Sequence, residues 1–184
     1  EIKKLSELMI KIGEYYNREV RTIISDMNTP LGYAVGNSLE VLEAIDVLLG
    51  KQKDSPFVNL CLELAANMVS MSFNISYEEA LDRVKKSIDS KVAYHKFEEM
   101  VENQKGNIDG IKVSDNTYSI KAPRDGVISK INALEVGKLS LRLGAGKENI
   151  NDKIDYTVGV KLRKLVGEKV HKGDVLATVY YKKS

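Results

Sequence analysis

The sequence has a single cysteine, which excludes an internal disulfide. Cys61 stands among three leucines, so the pattern predicts a buried and unreactive thiol. A nucleophilic cysteine needs a base beside it, and the sequence places neither His95 nor His171 near this one. A chain without disulfides suits a reducing compartment, and we therefore expect a cytoplasmic protein.

Histidine is almost as rare as cysteine, with two residues in the whole chain. Neither histidine has a neighbour at the spacing that would indicate a zinc site. The sequence also offers no Ser-His-Asp set for nucleophilic catalysis. We therefore assign no catalytic residue and no cofactor-binding residue within the chain.

An excess of one charge is lacking too, since 28 basic and 26 acidic side chains give a net charge of +2. Such a balance does not indicate a nucleic-acid partner. No apolar run approaches the roughly 20 residues of a membrane span, so we expect no membrane partner. No signal-peptide pattern opens the chain, and Glu1 already lies in a helical pattern, which favours a segment trimmed from a longer protein.

Apolar residues at helical spacing dominate the first part of the chain. The apolar helix expected at 56–72 should be buried on most sides. A β-branched run at 20–25 predicts one buried strand, and a helix, a strand, a turn and a further helix are typical of an α/β unit. The other helices are predicted at 3–16, at 37–49, after a cap at Asn74 or Ser76, and at 90–103.

A polar stretch rich in turn-forming residues, 104–110, marks a boundary. After it the pattern predicts one helix at 133–143 and short strands at 117–122, 126–131, 156–162 and 175–181. We therefore predict an α+β fold with two domains. The first, 1–104, is a mostly helical segment with one strand, and the second, 105–184, is a small α+β domain.

Residues 26–46 are the most informative part of the sequence. Pro30 and Gly32 make a rigid turn, Asn37 is the predicted helix N-cap, and Glu40 follows three residues later, as in a capping box. On the residues alone, this is a strand-to-helix connection in which Glu43 is a solvated helix residue. The segment also resembles, almost residue for residue, a signature of the pyrimidine-nucleoside phosphorylases, the family that includes thymidine phosphorylase.

The resemblance implies a cation site in this segment. In the family, two backbone carbonyls and one glutamate hold a monovalent cation, usually assigned as potassium. The matching positions here are Leu31, Ala34 and Glu43. The family completes that site from a glycine-rich phosphate loop, which the resemblance places upstream of the residues present here.

A second glycine-rich turn, at 144–146, is followed by Lys147. On its residues it is a turn that ends a helix, because it lacks the context of a phosphate-binding loop. The family has a similar Leu-Gly-Ala-Gly segment, usually followed by arginine, near the cleft between its domains. The resemblance implies a role in domain closure, but lysine does not reproduce the bidentate contacts of arginine.

The C-terminal part contains two hairpin-like stretches, at 122–131 and 166–177, with the glycine spacing of a barrel-sandwich hybrid. A lipoyl or biotinyl carrier would need an exposed lysine at a tight hairpin tip in the setting typical of such carriers, and none occurs. A structural domain of barrel-sandwich-hybrid type, without a cofactor, is therefore the prediction. The phosphorylases end in a similar domain, so this match supports the first.

Together the two resemblances imply a parent enzyme, a pentosyltransferase that cleaves thymidine, uridine or deoxyuridine with inorganic phosphate. Its products are a free base and a (deoxy)ribose 1-phosphate, and the family is dimeric. The groups that hold phosphate and base in the family lie upstream of the residues seen here, so the 184-residue chain alone should be inactive.

Two other interpretations stay open from the sequence. The chain is alternatively a non-catalytic α+β interaction module built on the same scaffold, and a complete upstream phosphate loop in the gene would decide against this. A relative of the phosphoribosyltransferases is the third interpretation, but it would lack the hybrid-barrel domain.

Overall fold

The computed structural model describes residues 1–183 and confirms a mixed α+β fold. Its helices are α1 (Ile2–Tyr15), α2 (Asn37–Leu48), α3 (Pro56–Phe73), α4 (Tyr77–Asp89), α5 (Val92–Asn103) and α6 (Ala133–Ser140). Its strands are β1 (Ala34–Val35), β2 (Thr117–Lys121), β3 (Gly126–Val127), β4 (Gly159–Leu162), β5 (Lys169–Val170) and β6 (Val175–Tyr180).

The strands form two antiparallel sheets. The larger has the order β1-β4-β6-β2, and β3 pairs with β5 separately. In the larger sheet, Ala34 lies opposite Lys161 and Val35 lies opposite Val160. This sheet therefore joins a strand before residue 104 to strands after 105. The boundary between two domains and the barrel-sandwich architecture stay predictions.

The core of the sheet is aliphatic. Val160 and Leu162 of β4 are buried beside Ala177 and Val179 of β6. Residues from the turn before β1, from α6 and from the loops pack against this cluster (Tyr33, Ile131, Val136, Leu143 and Leu165). Burial of these side chains holds Tyr33, and with it the turn before β1, against the core of this sheet.

Local sequence signals explain where the middle helices begin. Ser55 Oγ accepts a hydrogen bond from the Val58 amide at 3.2 Å, and Pro56 occupies the first turn of α3, where no amide is needed. Ser76 Oγ accepts from the Glu79 amide at 3.1 Å and caps α4. Of the two predicted caps, the structure uses Ser76, and Asn74 ends α3 in the left-handed conformation.

Two predictions for the first part are wrong. Residues 20–25 form neither a strand nor a helix within the described chain, and the strand in this part is β1 instead. A strand needs a neighbouring strand to pair with its backbone amides and carbonyls, and residues 1–183 supply no such partner for residues 20–25. Helix α3 is also not buried on most sides, since only Val58, Ala66 and Ser70 are buried.

Helix α3 has 18 residues and a mean hydropathy of 1.2. Among the described residues it is the one helix whose length and composition would allow it to cross a membrane. A single helix of this kind is weak support for a membrane span, because the core helices of many soluble proteins have the same length and apolar composition.

Candidate functional site

The 31–34 turn is built around a buried carboxylate. Glu43 lies on α2 and is 8% exposed. Its two oxygens accept hydrogen bonds from the amides of Tyr33, at 2.8 Å, and Ala34, at 2.9 Å. A Cβ atom at Gly32 would lie 2.5 Å from the Glu43 carboxylate, so the turn approaches closely because a glycine stands there. The solvated position considered for Glu43 from the sequence is therefore wrong.

Gln52 also binds this carboxylate, and Ser55 binds Gln52. The Gln52 side-chain amide donates to Glu43 Oε1 at 3.2 Å and to Ser55 Oγ at 3.0 Å. The sequence analysis did not identify Gln52. This residue lies between α2 and α3, and its side chain reaches Glu43 only in the folded chain. The carboxylate is thus oriented by three donors, two of them backbone amides.

The three residues predicted to bind a cation lie together. Leu31, Ala34 and Glu43 line one surface cavity of about 550 Å³, together with Pro30, Gly32 and Phe57. The Leu31 carbonyl accepts from the Phe57 amide at 3.0 Å and keeps a second lone pair. Within residues 1–183 Glu43 has no salt-bridge partner. The Glu43 carboxylate accepts three hydrogen bonds but makes no salt bridge, and a carboxylate and nearby carbonyl oxygens are ligands of the kind that hard cations take.

The N-terminus of α2 approaches the C-terminal sheet very closely. Gly36 has a φ of 142° and Gly159 a φ of 152°. A Cβ at Gly36 would lie 2.6 Å from the Val158 carbonyl oxygen, and one at Gly159 would lie 2.5 Å from the Val35 carbonyl oxygen. These glycines let the backbones approach closely where the pairing of β1 with β4 ends, and we call this the Gly36–Gly159 contact.

The predicted cap of α2 is also corrected. Gly36, not Asn37, is the N-cap residue, and Glu40 accepts a hydrogen bond from the Gly36 amide at 2.8 Å. The Asn37 side chain instead donates to the Ala145 carbonyl at 2.7 Å. Asn37 therefore connects the start of α2 to the glycine-rich 144–146 loop. The spacing of residues in the sequence did not reveal this contact.

Leu141–Ala145 form a wide helical turn, in which Gly144 has a φ of 104°. The 144–146 loop begins within this turn. The Gly144 carbonyl accepts from the Asp155 amide at 2.8 Å. Lys147 contacts the Ile150 carbonyl at 3.3 Å and makes no salt bridge among the described residues. The helix predicted at 133–143 is thus an α-helix up to Ser140 followed by this turn.

Asp155 holds the chain between this loop and β4. Its carboxylate accepts from the Thr157 amide at 2.9 Å and from the Thr157 hydroxyl at 2.6 Å. These hydrogen bonds lower the pKa of Asp155 below its ordinary value of 3.8.

This lowered pKa predicts an acid-dependent loss of stability. The hydrogen bonds favour the ionised form in the folded state, so their contribution is present above the unfolded pKa and is lost as pH falls through the folded value. We expect Asp155→Ala to lower the free energy of unfolding by about 1.5–3 kcal/mol near neutral pH. In urea titrations the difference from the wild type should shrink below about pH 4, and a difference independent of pH would contradict this origin.

Tyr33 is part of the 31–34 turn and lies near the loop at 165–168. Burial raises the pKa of its phenol, and the nearby carboxylates of Glu168, Glu43 and Asp54 raise it further. The phenol therefore stays neutral and packs against the core as an aromatic group.

The prediction of a buried cysteine is wrong, because Cys61 is exposed on α3. Its side chain lines an apolar cavity of about 410 Å³ between α2, α3 and α4. Partial burial in these surroundings raises the pKa of the thiol, which lowers its reactivity without making it inaccessible. His95 and His171 are exposed.

Cys61 should therefore react in the folded protein. We expect complete labelling by a disulfide reagent without denaturant, at a rate below that of free cysteine at the same pH, because the raised pKa leaves less thiolate. Ellman's assay measures the labelling rate of Cys61 in the native and in the urea-unfolded chain, and that of free cysteine at the same pH. Labelling that occurs only after unfolding would mean that the thiol is buried after all.

Comparison with known proteins identifies the family. Residues 127–184 match the model of the pyrimidine nucleoside phosphorylase C-terminal domain. The pyrimidine-nucleoside phosphorylase of Bacillus subtilis (strain 168) is 38% identical over 96% of this chain, and that of Geobacillus stearothermophilus is 40% identical over 98%. The thymidine phosphorylase of Metamycoplasma hominis is 36% identical over the whole chain.

The matched region is only part of these relatives. It spans 42% of the Bacillus subtilis protein, 43% of the Geobacillus stearothermophilus protein and 70% of the Metamycoplasma hominis protein. The turn around Glu43, the Gly36–Gly159 contact and the C-terminal sheet all lie within the matched region. The chain belongs to the pyrimidine-nucleoside phosphorylase family and corresponds to the C-terminal part of its proteins.

Proposed function

We propose that this chain works as the C-terminal part of a pyrimidine-nucleoside phosphorylase. The complete enzyme would cleave thymidine, uridine or deoxyuridine with inorganic phosphate to give a free base and a (deoxy)ribose 1-phosphate. The observation that carries the proposal is the identity of 36–40% to proteins named as pyrimidine-nucleoside or thymidine phosphorylases, over 96–100% of the chain.

We assign no chemical step to a residue of the chain. Its role in the proposed enzyme is to hold the turn around Glu43 and the adjoining 144–146 loop in fixed positions. Asn37 and Ser140 support this role, because the Asn37 amide donates to the Ala145 carbonyl at 2.7 Å and the Ser140 hydroxyl donates to the Val35 carbonyl at 3.2 Å. A turn and a loop held in fixed positions can orient substrates that are bound by the rest of the enzyme.

The complete enzyme would hold potassium or another monovalent cation with Glu43 and the carbonyl oxygens of Leu31 and Ala34. The shared cavity and the buried carboxylate, which makes no salt bridge within residues 1–183, support this site. When bound, the cation would supply positive charge beside the turn. The family resemblance places the remaining contacts on a phosphate loop outside this chain.

The complete enzyme would be a cytoplasmic homodimer. The single cysteine supports a reducing compartment, and the resemblance to a dimeric family supports the assembly. Sedimentation of the protein encoded by the complete gene measures the assembly directly.

The reaction can be tested on the protein encoded by the complete gene. With thymidine or uridine and inorganic phosphate, we expect free base and a sugar 1-phosphate, which phosphorus NMR detects. Omission of phosphate should abolish release of the base. Release of free sugar without phosphate would indicate a hydrolase, and no release under any condition would favour the non-catalytic interaction module.

A further inference from the structure

The Glu43 side chain lines two cavities. The first, of about 550 Å³, is the one that Glu43 shares with Leu31 and Ala34. The second has a volume of about 220 Å³, and its other lining residues are Tyr33, Asp46, Gln52, Lys161, Leu162 and Arg163. Gln52 lines the second cavity and not the first. An effect of Gln52 on a cation in the first cavity would therefore pass through Glu43.

The two oxygens of the Glu43 carboxylate have different partners. Oε1 accepts from the Tyr33 amide at 2.8 Å and from the Gln52 side chain at 3.2 Å. Within residues 1–183, Oε2 accepts only from the Ala34 amide, at 2.9 Å. A Cβ at Gly32 would lie 2.5 Å from Oε2, so the glycine keeps the space beside this oxygen open. Because each carboxylate oxygen offers about two acceptor positions, the free position is on Oε2, next to residues that line the first cavity.

Two basic side chains line the second cavity together with Glu43. Lys161 lies on β4 and Arg163 follows that strand directly. Neither takes part in a salt bridge in the part of the chain that the structure describes. Asp46, the other acidic residue of this cavity, already pairs with Lys51 at 3.0 Å. Since opposite charges attract more strongly where water is partly excluded, Glu43 is the carboxylate toward which the two basic side chains would be drawn.

Gln52 is itself held in place. It is half-buried in the short connection between α2 and α3. Its side-chain amide donates to Ser55 Oγ at 3.0 Å as well as to Glu43, so both of its N–H groups are used. Ser55 is 4% exposed and accepts from the Val58 amide as the cap of α3. Gln52 is thus a neutral donor that is fixed to the end of a helix and binds Glu43 without adding a charge.

We infer that Gln52 is a positioning residue for the cation site proposed at Glu43. Its amide holds Oε1, which keeps the carboxylate from pairing with Lys161 or Arg163 and leaves Oε2 free beside the first cavity. This inference rests on the proposed function, through its cation site. A purely structural link between α2 and α3 is the competing role of Gln52, and the test separates the two.

The first experiment measures potassium binding to the protein encoded by the complete gene. Melting temperatures are recorded over a series of KCl concentrations, with choline chloride keeping the ionic strength constant, and their dependence on potassium gives an apparent dissociation constant. Gln52→Met keeps the length of the side chain but has no donor. We expect it to raise this constant by about tenfold or more, which is roughly 1.4 kcal/mol. Gln52→Ala should act in the same direction and serves if the methionine variant does not fold.

Asn59→Leu is the matched control for the loss of a side-chain amide. Asn59 is exposed on α3, and its amide donates to Asp54 at 3.3 Å, away from the Glu43 carboxylate. We expect this variant to bind potassium with the wild-type constant. A melting temperature that falls in choline chloride for Gln52→Met, with an unchanged potassium constant, would mean that the role of Gln52 is structural and would overturn the inference.

Removal of the two basic side chains should rescue the site. In the Gln52→Met background, the pair Lys161→Gln and Arg163→Gln should restore potassium binding to within about threefold of the wild type, and a double-mutant cycle isolates this coupling. The same pair in the wild-type background should change binding much less, because Gln52 already keeps these side chains from Glu43. Equal gains in both backgrounds would indicate a general effect of charge and would overturn the inference.

The outcomes separate this inference from the proposed reaction. Potassium binding that depends on Gln52, in a protein that releases no base, would support the inference and contradict the proposed function. Equal potassium binding by the wild type, Gln52→Met and Gln52→Ala would overturn the inference and leave the cation site intact. A wild type that does not respond to potassium would overturn both the cation site and the inference.

Discussion

Gly36→Ala is expected to lower the free energy of unfolding by about 2–5 kcal/mol. The new Cβ would lie 2.6 Å from the Val158 carbonyl oxygen and 2.9 Å from Gly159 Cα, and the φ of 142° is unfavourable for alanine. Backbone strain contributes about 1–3 kcal/mol, and overpacking against a rigid backbone contributes a similar amount. Urea unfolding followed by circular dichroism measures the change.

Gly137→Ala is the matched control for this substitution. Gly137 lies within α6, and a Cβ there would meet no atom within 4 Å. Alanine is the better helix former, so this variant should gain about 0.5–1 kcal/mol. If Gly36→Ala were as stable as the wild type, the close approach of the backbones at Gly36 and Gly159 would be wrong.

Glu43→Ala should be the second most damaging substitution. It leaves the amides of Tyr33 and Ala34 and the side chain of Gln52 without their acceptor. A buried donor without a partner costs about 1–3 kcal/mol, and we expect a total loss of roughly 3 kcal/mol of unfolding free energy, since relaxation and water recover part of it.

Asp46→Ala is the control on the same helix. Asp46 pairs with Lys51 at 3.0 Å, but both side chains are largely solvent-exposed. Such a pair contributes about 0–1 kcal/mol, so the variant should remain close to the wild type. Equal losses for Glu43→Ala and Asp46→Ala would mean that the Glu43 carboxylate does not organise the turn.

Glu43→Gln tests the proposed cation in the protein encoded by the complete gene. Potassium should raise the melting temperature of the wild type, because a bound ion stabilises the folded state. The glutamine variant removes the charge and should lose this response to potassium. A potassium-dependent shift of the same size in Glu43→Gln would place the cation elsewhere.

Much of the helical part could be predicted from local patterns. Apolar spacing marked the start of α3 and the cap at Ser76 marked the start of α4, because these signals act between residues close in sequence. The candidate ligands Leu31, Ala34 and Glu43 came from the family resemblance, and the structure brings them to one cavity.

The failures depend on distant or missing neighbours. The strand predicted at 20–25 has the right composition but no partner strand among residues 1–183, so it stays unpaired. Neither the Gly36–Gly159 contact nor the Asn37–Ala145 hydrogen bond could be predicted, because each joins residues more than a hundred positions apart in the chain. Cys61 was misjudged since its apolar neighbours in sequence spread around α3 and leave the thiol exposed.

The most direct test of the account is phosphate-dependent release of thymine from thymidine, or of uracil from uridine. The assay compares the 184-residue chain with the protein encoded by its complete gene. We predict no release by the chain alone and phosphate-dependent release by the complete protein. Release by the chain alone would contradict the account, because a full catalytic site would then lie within these residues.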